Sequence, residues 1–155
     1  EDMHPFEIAI KNGAEAIMVG HLIIKDVDKK YPASLSKKII QKYLIEKYNY
    51  KGLIITDDLK MLAIRIHYNM KGAVKRAILA GNDIVMIGLS TRKIEKIIKY
   101  IEKQVKKGII SEERINKSVE KIIKIKEKYE ILDEKADGFN INEMNEKIEK
   151  VNNQI

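Results

Sequence analysis

Hydrophobic and polar positions follow two different periods along this chain. Three short apolar runs, at residues 14–19, 53–55 and 82–87, are too brief for helices. They are rich in β-branched residues and predict buried strands. Elsewhere apolar residues recur at steps of three and four, the helical period. The first such stretch has Pro5 in its opening turn, Phe6, Ile8, Ala9 and Ile10 on its apolar side, and Gly13 at its end. A second, capped by Ser34 or Ser36, runs to about Tyr48 with Ile39, Ile40, Tyr43 and Leu44 on one face. Helical pattern returns beyond Met61 and stops at Gly81. Ile94, Ile97, Ile98, Ile101 and Val105 then mark a long helix closed by Gly108. Ser111 caps another, with Glu112 and Glu113 in its first turn and Ile115, Val119, Ile122 and Ile123 as its stripe. A polar connection containing Asp137-Gly138 follows, and Asn140 with Glu143 predicts a capping box for a last, weakly apolar helix.

Strands alternating with helices imply right-handed crossovers and a parallel sheet. Three parallel strands alone make a poor domain, because such sheets need both faces covered and their edges protected. The pattern therefore predicts either a small open α/β sheet or a portion of something larger. The middle strand ends in Thr56-Asp57-Asp58 just before a helical pattern. The carboxyl ends of parallel strands are where α/β proteins bind ligands and do chemistry. Read from the residues alone, acids in front of a helix are first of all caps facing its dipole.

Composition narrows the classes. The 155 residues are 45% hydrophobic and 34% charged, which is globular rather than disordered. There is no cysteine, so disulfides and thiolate-ligated metals are excluded. No apolar run approaches the length of a membrane span. The net charge of +7 comes from 30 Lys and Arg interleaved with 23 acids, and aromatics are only 6%. That describes a lysine-rich solvated surface better than a nucleic-acid interface. His4 and His67 have no second ligand at metal spacing, and no phosphate-cradling glycine loop is present. No metal or cofactor is expected.

Four blocks carry a resemblance. Gly13-Ala14-Glu15-Ala16-Ile17-Met18-Val19-Gly20-His21, Tyr31-Pro32-Ala33-Ser34-Leu35-Ser36, residues 50–61 from Tyr50 to Met61, and Ala80-Gly81-Asn82-Asp83 occur in this order. Together they resemble the β-N-acetylhexosaminidases of glycoside hydrolase family 3. Arg114-Ile115-Asn116-Lys117-Ser118-Val119 looks like the helix that closes that family's catalytic domain. The family fold is a (β/α)₈ barrel of roughly 250 residues. The resemblance implies that residues 1–132 are the C-terminal part of such a barrel, about three β/α units, with residues 133–155 a polar connection and terminal helix. It also implies that the N-terminal part of the barrel is missing from this chain.

The resemblance further implies retaining hydrolysis by double displacement, in which a carboxylate attacks the anomeric carbon and water resolves the glycosyl-enzyme. On that pattern Asp57 is the nucleophile, and Asp58 is a helix cap or a support for its neighbour. His21 either lines the sugar site or is a hydrogen-bonded structural histidine, and Met61 either packs near the sugar or belongs to the core. The family's acid/base, a His paired with an Asp on an upstream loop, is absent from the 155 residues, so the chain alone is expected to be inactive. The implied partner is an N-acetylglucosamine-containing saccharide from cell-wall or chitin turnover, in the cytoplasm or at the cell surface of a bacterium. Alternatives are a family 3 β-glucosidase or xylosidase, against which Thr56-Asp57-Asp58-Leu59 argues, a phosphorolytic relative, and a non-catalytic sugar-binding or scaffold derivative.

Overall fold

The computed structural model describes residues 3–131. The chain falls into two compact units, residues 1–125 and 126–155, and the site belongs to the first. The capping box expected at Asn140 and Glu143 lies outside the described residues.

Helix α1 (His4–Lys11) leads into β1 (Ala16–Val19). A 3₁₀ turn (Ala33–Leu35) and a π-helical segment (Lys38–Lys47) connect to β2 (Leu53–Thr56). The short α2 (Leu62–Arg65), α3 (Met70–Ala80), α4 (Thr91–Lys106) and α5 (Glu112–Lys128) complete the order. β1 and β2 pair in parallel, with Ile17 opposite Ile54 and Val19 opposite Thr56.

β1 alternates sharply between its two faces. Ile17, Val19 and Ile54 point inward and pack with Ile39, Ile40, Leu44, Tyr50 and Ala80. The opposite face carries Met18, 60% exposed, beside the partly buried Ile55. A second cluster joins Leu35, Leu59, Ile64, Ala73, Val74, Ala77 and Ile97 under α3 and α4.

Two expectations are corrected. Residues 82–87 are not a third strand, since only one bridge, Ile55 to Ile84, meets the ladder pattern. The cause is side-chain substitution. Thr56 N–H donates to the Ile84 carbonyl at 3.0 Å, but the Met86 N–H goes to Thr56 Oγ1 and the Gly88 N–H to Asp58 Oδ1. The segment is thus laid alongside β2 and tied to it by side chains where a regular ladder would use backbone. The second correction is the winding of residues 38–47, expected as an α-helix. Its closing bond, Tyr48 N–H to the Tyr43 carbonyl, spans five residues. Ile39 and Leu44, also five apart, are both buried, which suits the wider π turn.

Both serine caps are present. Ser36 Oγ accepts the Ile39 N–H at 3.2 Å, and Ser111 Oγ accepts the Arg114 N–H at 3.2 Å.

Candidate active site

The site is built where β1 and β2 end. The Asp57 N–H donates to the Val19 carbonyl at 3.0 Å, continuing the parallel ladder one residue past the strand. The Asp57 carboxylate therefore stands on a fixed backbone. Its Oδ1 accepts the Asp58 N–H at 2.7 Å, while Oδ2 has no partner among the described residues.

Asp58 does not cap a helix, because α2 starts only at Leu62. Its Oδ1 accepts the Lys60 N–H at 2.8 Å and the Gly88 N–H at 3.0 Å. These two backbone bonds, the first the stronger influence, hold its carboxyl below the usual value. The bond to Gly88 depends on close approach, for a Cβ at that position would lie 2.9 Å from Asp58 Oδ2. Asp58 is thus the brace that closes the loop after Asp57 and fastens it to the neighbouring extended segment.

His21 lies two residues past the end of β1 and bridges the same loop from the other side. Its Nε2 is 3.0 Å from the Asp58 carbonyl oxygen, so Nε2 carries the hydrogen and donates. Its Nδ1 is 2.7 Å from Ser34 Oγ. Both ring nitrogens are occupied within the chain, which leaves neither for a sugar hydroxyl. Met61 is 46% exposed and outside the core. The structure therefore brings Asp57, Asp58 and His21 together, with Met61 at the edge of the same loop. His67 is remote from this group, on a different groove.

Three supporting residues carry no chemical signature in the sequence. Ser34 reads only as a helix cap, yet it is fully buried and holds His21. Asn82 Nδ2 donates to the Ser34 carbonyl at 2.8 Å and to the Ala77 carbonyl at 2.7 Å. Arg114 in turn donates to the Asn82 carbonyl at 2.6 Å. A chain of hydrogen bonds so connects α5 to the histidine beside Asp57. Long-range partners of this kind leave no local pattern to find. Among the described residues no three His, Asp or Glu side chains cluster as a metal site, and no helix is long and apolar enough to cross a membrane.

An α/β scaffold with paired carboxylates at the carboxyl end of a parallel strand defines the class. The sequence model of the glycosyl hydrolase family 3 N terminal domain matches residues 1–125, and the chain belongs to that family. An uncharacterized secreted glycosyl hydrolase of Arthroderma benhamiae is 33% identical over 122 residues, covering 78% of this chain and 35% of the relative. A beta-hexosaminidase of Methylobacillus flagellatus is 32% identical over 97 residues, covering 63% of this chain and 28% of the relative. Among solved structures, a family 3 β-N-acetylglucosaminidase from a Paenibacillus species superimposes with a TM-score of 0.83 at 29% identity. It covers 90% of this chain and 27% of its own. The β-N-acetylglucosaminidase of Thermotoga maritima gives 0.74 at 26% identity, covering 80% and 28%. The chain spans about a third or less of the length of the curated relatives it matches.

Proposed function

We propose that this chain is the nucleophile-bearing portion of a retaining β-N-acetylhexosaminidase, with Asp57 as the attacking carboxylate. One observation carries the reading. Asp57 is fixed through its backbone at the end of β2 while one carboxylate oxygen has no partner among the described residues. A nucleophile needs that combination of rigidity and a free lone pair. Asp58 and His21 then act as positioning residues: they hold the peptide that follows Asp57 and do not touch substrate. Met61, exposed on the next turn, is the residue placed to meet the sugar.

The names of the similar enzymes support a terminal N-acetylglucosaminide as substrate. Residues 1–132 are read as the last β/α units of a barrel. The exposed face of β1, with Met18 toward solvent, suits a barrel interior whose other wall comes from elsewhere. An apolar hollow of about 240 Å³ along the free edge of β1, lined by Phe6, Met18, Val19, Ile39 and Leu44, suits a neighbouring strand and helix packed there. The acid/base histidine of this reading belongs to a segment outside these 155 residues, and the chain alone is inactive.

The test is made in a complete enzyme that contains this segment. Asp57→Asn should abolish release of p-nitrophenol from a β-N-acetylglucosaminide, and a slow fluorinated substrate should leave one glycosyl adduct on the peptide bearing Asp57. An adduct on a different carboxylate would refute the assignment. Turnover by the isolated 155-residue chain would refute its incompleteness.

A further inference from the structure

A second cavity, of about 480 Å³, lies away from Asp57 between the stretch that carries Tyr31, Leu35 and Lys37 and α3. Its lining includes Tyr31, Lys37, His67, Tyr68, Lys75 and Arg76. Three lysine or arginine side chains converge there, and no Asp or Glu lines it. Lys37, Lys75 and Arg76 enter no ion pair among the described residues. Uncompensated like charges around one concavity raise the local concentration of anions.

The groove is built, not incidental. The Arg76 guanidinium lies 3.8 Å from the centroid of the Tyr31 ring. Stacking occupies the face of the guanidinium and leaves its in-plane N–H fork, which has no acceptor among the described residues, free for an oxyanion. Tyr31 is itself held in place. The buried Asp28 accepts its N–H at 3.3 Å, the Lys30 N–H at 2.9 Å and the Ser36 hydroxyl at 2.7 Å. Burial pushes the Asp28 carboxyl up, and those three bonds more than offset it and hold it below the usual value. Both oxygens of the nearby acid are therefore spent on ordering the loop. Tyr68 and Leu79 give the groove an apolar flank beside the charges.

We infer that this groove binds a phosphate ester carried on a small polyhydroxylated molecule. Arg76, Lys75 and Lys37 take the phosphate, and the Tyr68 ring meets the carbon frame. The site is independent of the Asp57 chemistry, so either can fail without the other.

The test is titration of the 155-residue chain with inorganic phosphate, glucose and glucose 6-phosphate at constant ionic strength, followed by amide NMR shifts. Saturable shifts at Lys75, Arg76 and Tyr68 are expected, with glucose 6-phosphate binding several-fold more tightly than phosphate. The double variant Lys37→Gln with Lys75→Gln should weaken it by about fivefold or more. The exposed control pair Lys42→Gln with Lys99→Gln should not change it. Non-saturating shifts, equal weakening by the control pair, or glucose binding as well as its phosphate would each overturn the inference. Equal affinity for phosphate and glucose 6-phosphate would overturn the role of Tyr68.

Discussion

The strongest single lever on this fold is Asp83, whose side chain is only 3% exposed. Its Oδ2 accepts the Ile54 N–H at 3.1 Å and Lys121 Nζ at 2.9 Å, and its Oδ1 accepts the Ser118 hydroxyl at 2.6 Å. Arg114 Nη1 lies 3.6 Å from the same Oδ1. One carboxylate thus pins β2 to α5 and offsets two cations. Asp83→Ala would strand a backbone N–H, a hydroxyl and two partly buried positive charges. Removing one partner of a buried ionic pair costs about 3–5 kcal/mol, and the additional lost acceptor for Ile54 places this case toward the upper end. Asp83→Asn keeps the shape. Its amide oxygen can serve Ile54 and Lys121, its NH₂ can meet a reoriented Ser118, and only the charge is lost, for about 2 kcal/mol. Urea unfolding followed by far-UV circular dichroism at pH 7 measures both. If Asn cancels as much stability as Ala, the charge alone is the brace and the hydrogen-bond geometry contributes nothing. If Ala costs less than about 1 kcal/mol, the whole account of the clamp is refuted.

Three further outcomes are expected. Asp58→Ala should cost about 2 kcal/mol and Asp58→Asn under about 1, because asparagine can still accept from both Lys60 and Gly88. Since the folded carboxyl titrates below its unfolded value, that difference is present above the unfolded pKa and is lost as pH falls through the folded one, so urea curves of wild type and Asp58→Asn should converge in acid. Gly81→Ala should lower stability by about 2 kcal/mol in a thermal melt, because Gly81 ends α3 at φ +121° and a Cβ would sit 2.8 Å from Ile40 Cγ2. Burial pushes the Tyr50 phenol up to about 12, so the folded chain holds that proton after the unfolded chain has released it. Stability should therefore fall as pH rises from about 10 toward 12, and Tyr50→Phe should flatten that stretch of the pH–stability curve.

The elements that could be read in the sequence are those whose cause is local. Ser36 and Ser111 announce helix starts because a cap bonds three residues on, and Gly81 and Gly108 announce ends because both take positive φ. The pairing of β1 with β2 follows from two apolar runs separated by a helical crossover. The third strand is expected because hydrophobicity reports burial, but residues 82–87 lie beside β2 with a single ladder bridge, Ile55 to Ile84. The π winding was equally invisible, since Ile39, Ile40 and Leu44 satisfy a 3.6 period nearly as well as a wider one. At the site, the place of Asp57 and His21 just after strands is legible in the residues, while the roles expected of them come from the family resemblance. A partner of His21, Ser34, is thirteen residues away and carries its own local explanation as a cap.

These misses share a physical origin that also links the two ends of β2. Its beginning is held by Asp83 on Ile54 and by Lys121 on the Gly52 carbonyl at 3.1 Å. Its end is held by Thr56 on Met86 and by Asp58 on Gly88. Side chains therefore supplement the backbone bonds that join Ile54 and Thr56 to Ile84, and they come from β2 and its following loop, the extended segment and α5. Through Asn82, Ser34 and His21 the same scaffold reaches the carbonyl of Asp58. The position of the Asp57 carboxylate then depends on residues far from it in the chain, and Arg114→Gln, which removes the donor to the Asn82 carbonyl, should loosen that loop without touching it. Hydrogen exchange at the Asp58 and Gly88 amides reads this directly: faster exchange in Arg114→Gln, at unchanged protection of Ile40, separates transmission along this path from general loss of stability.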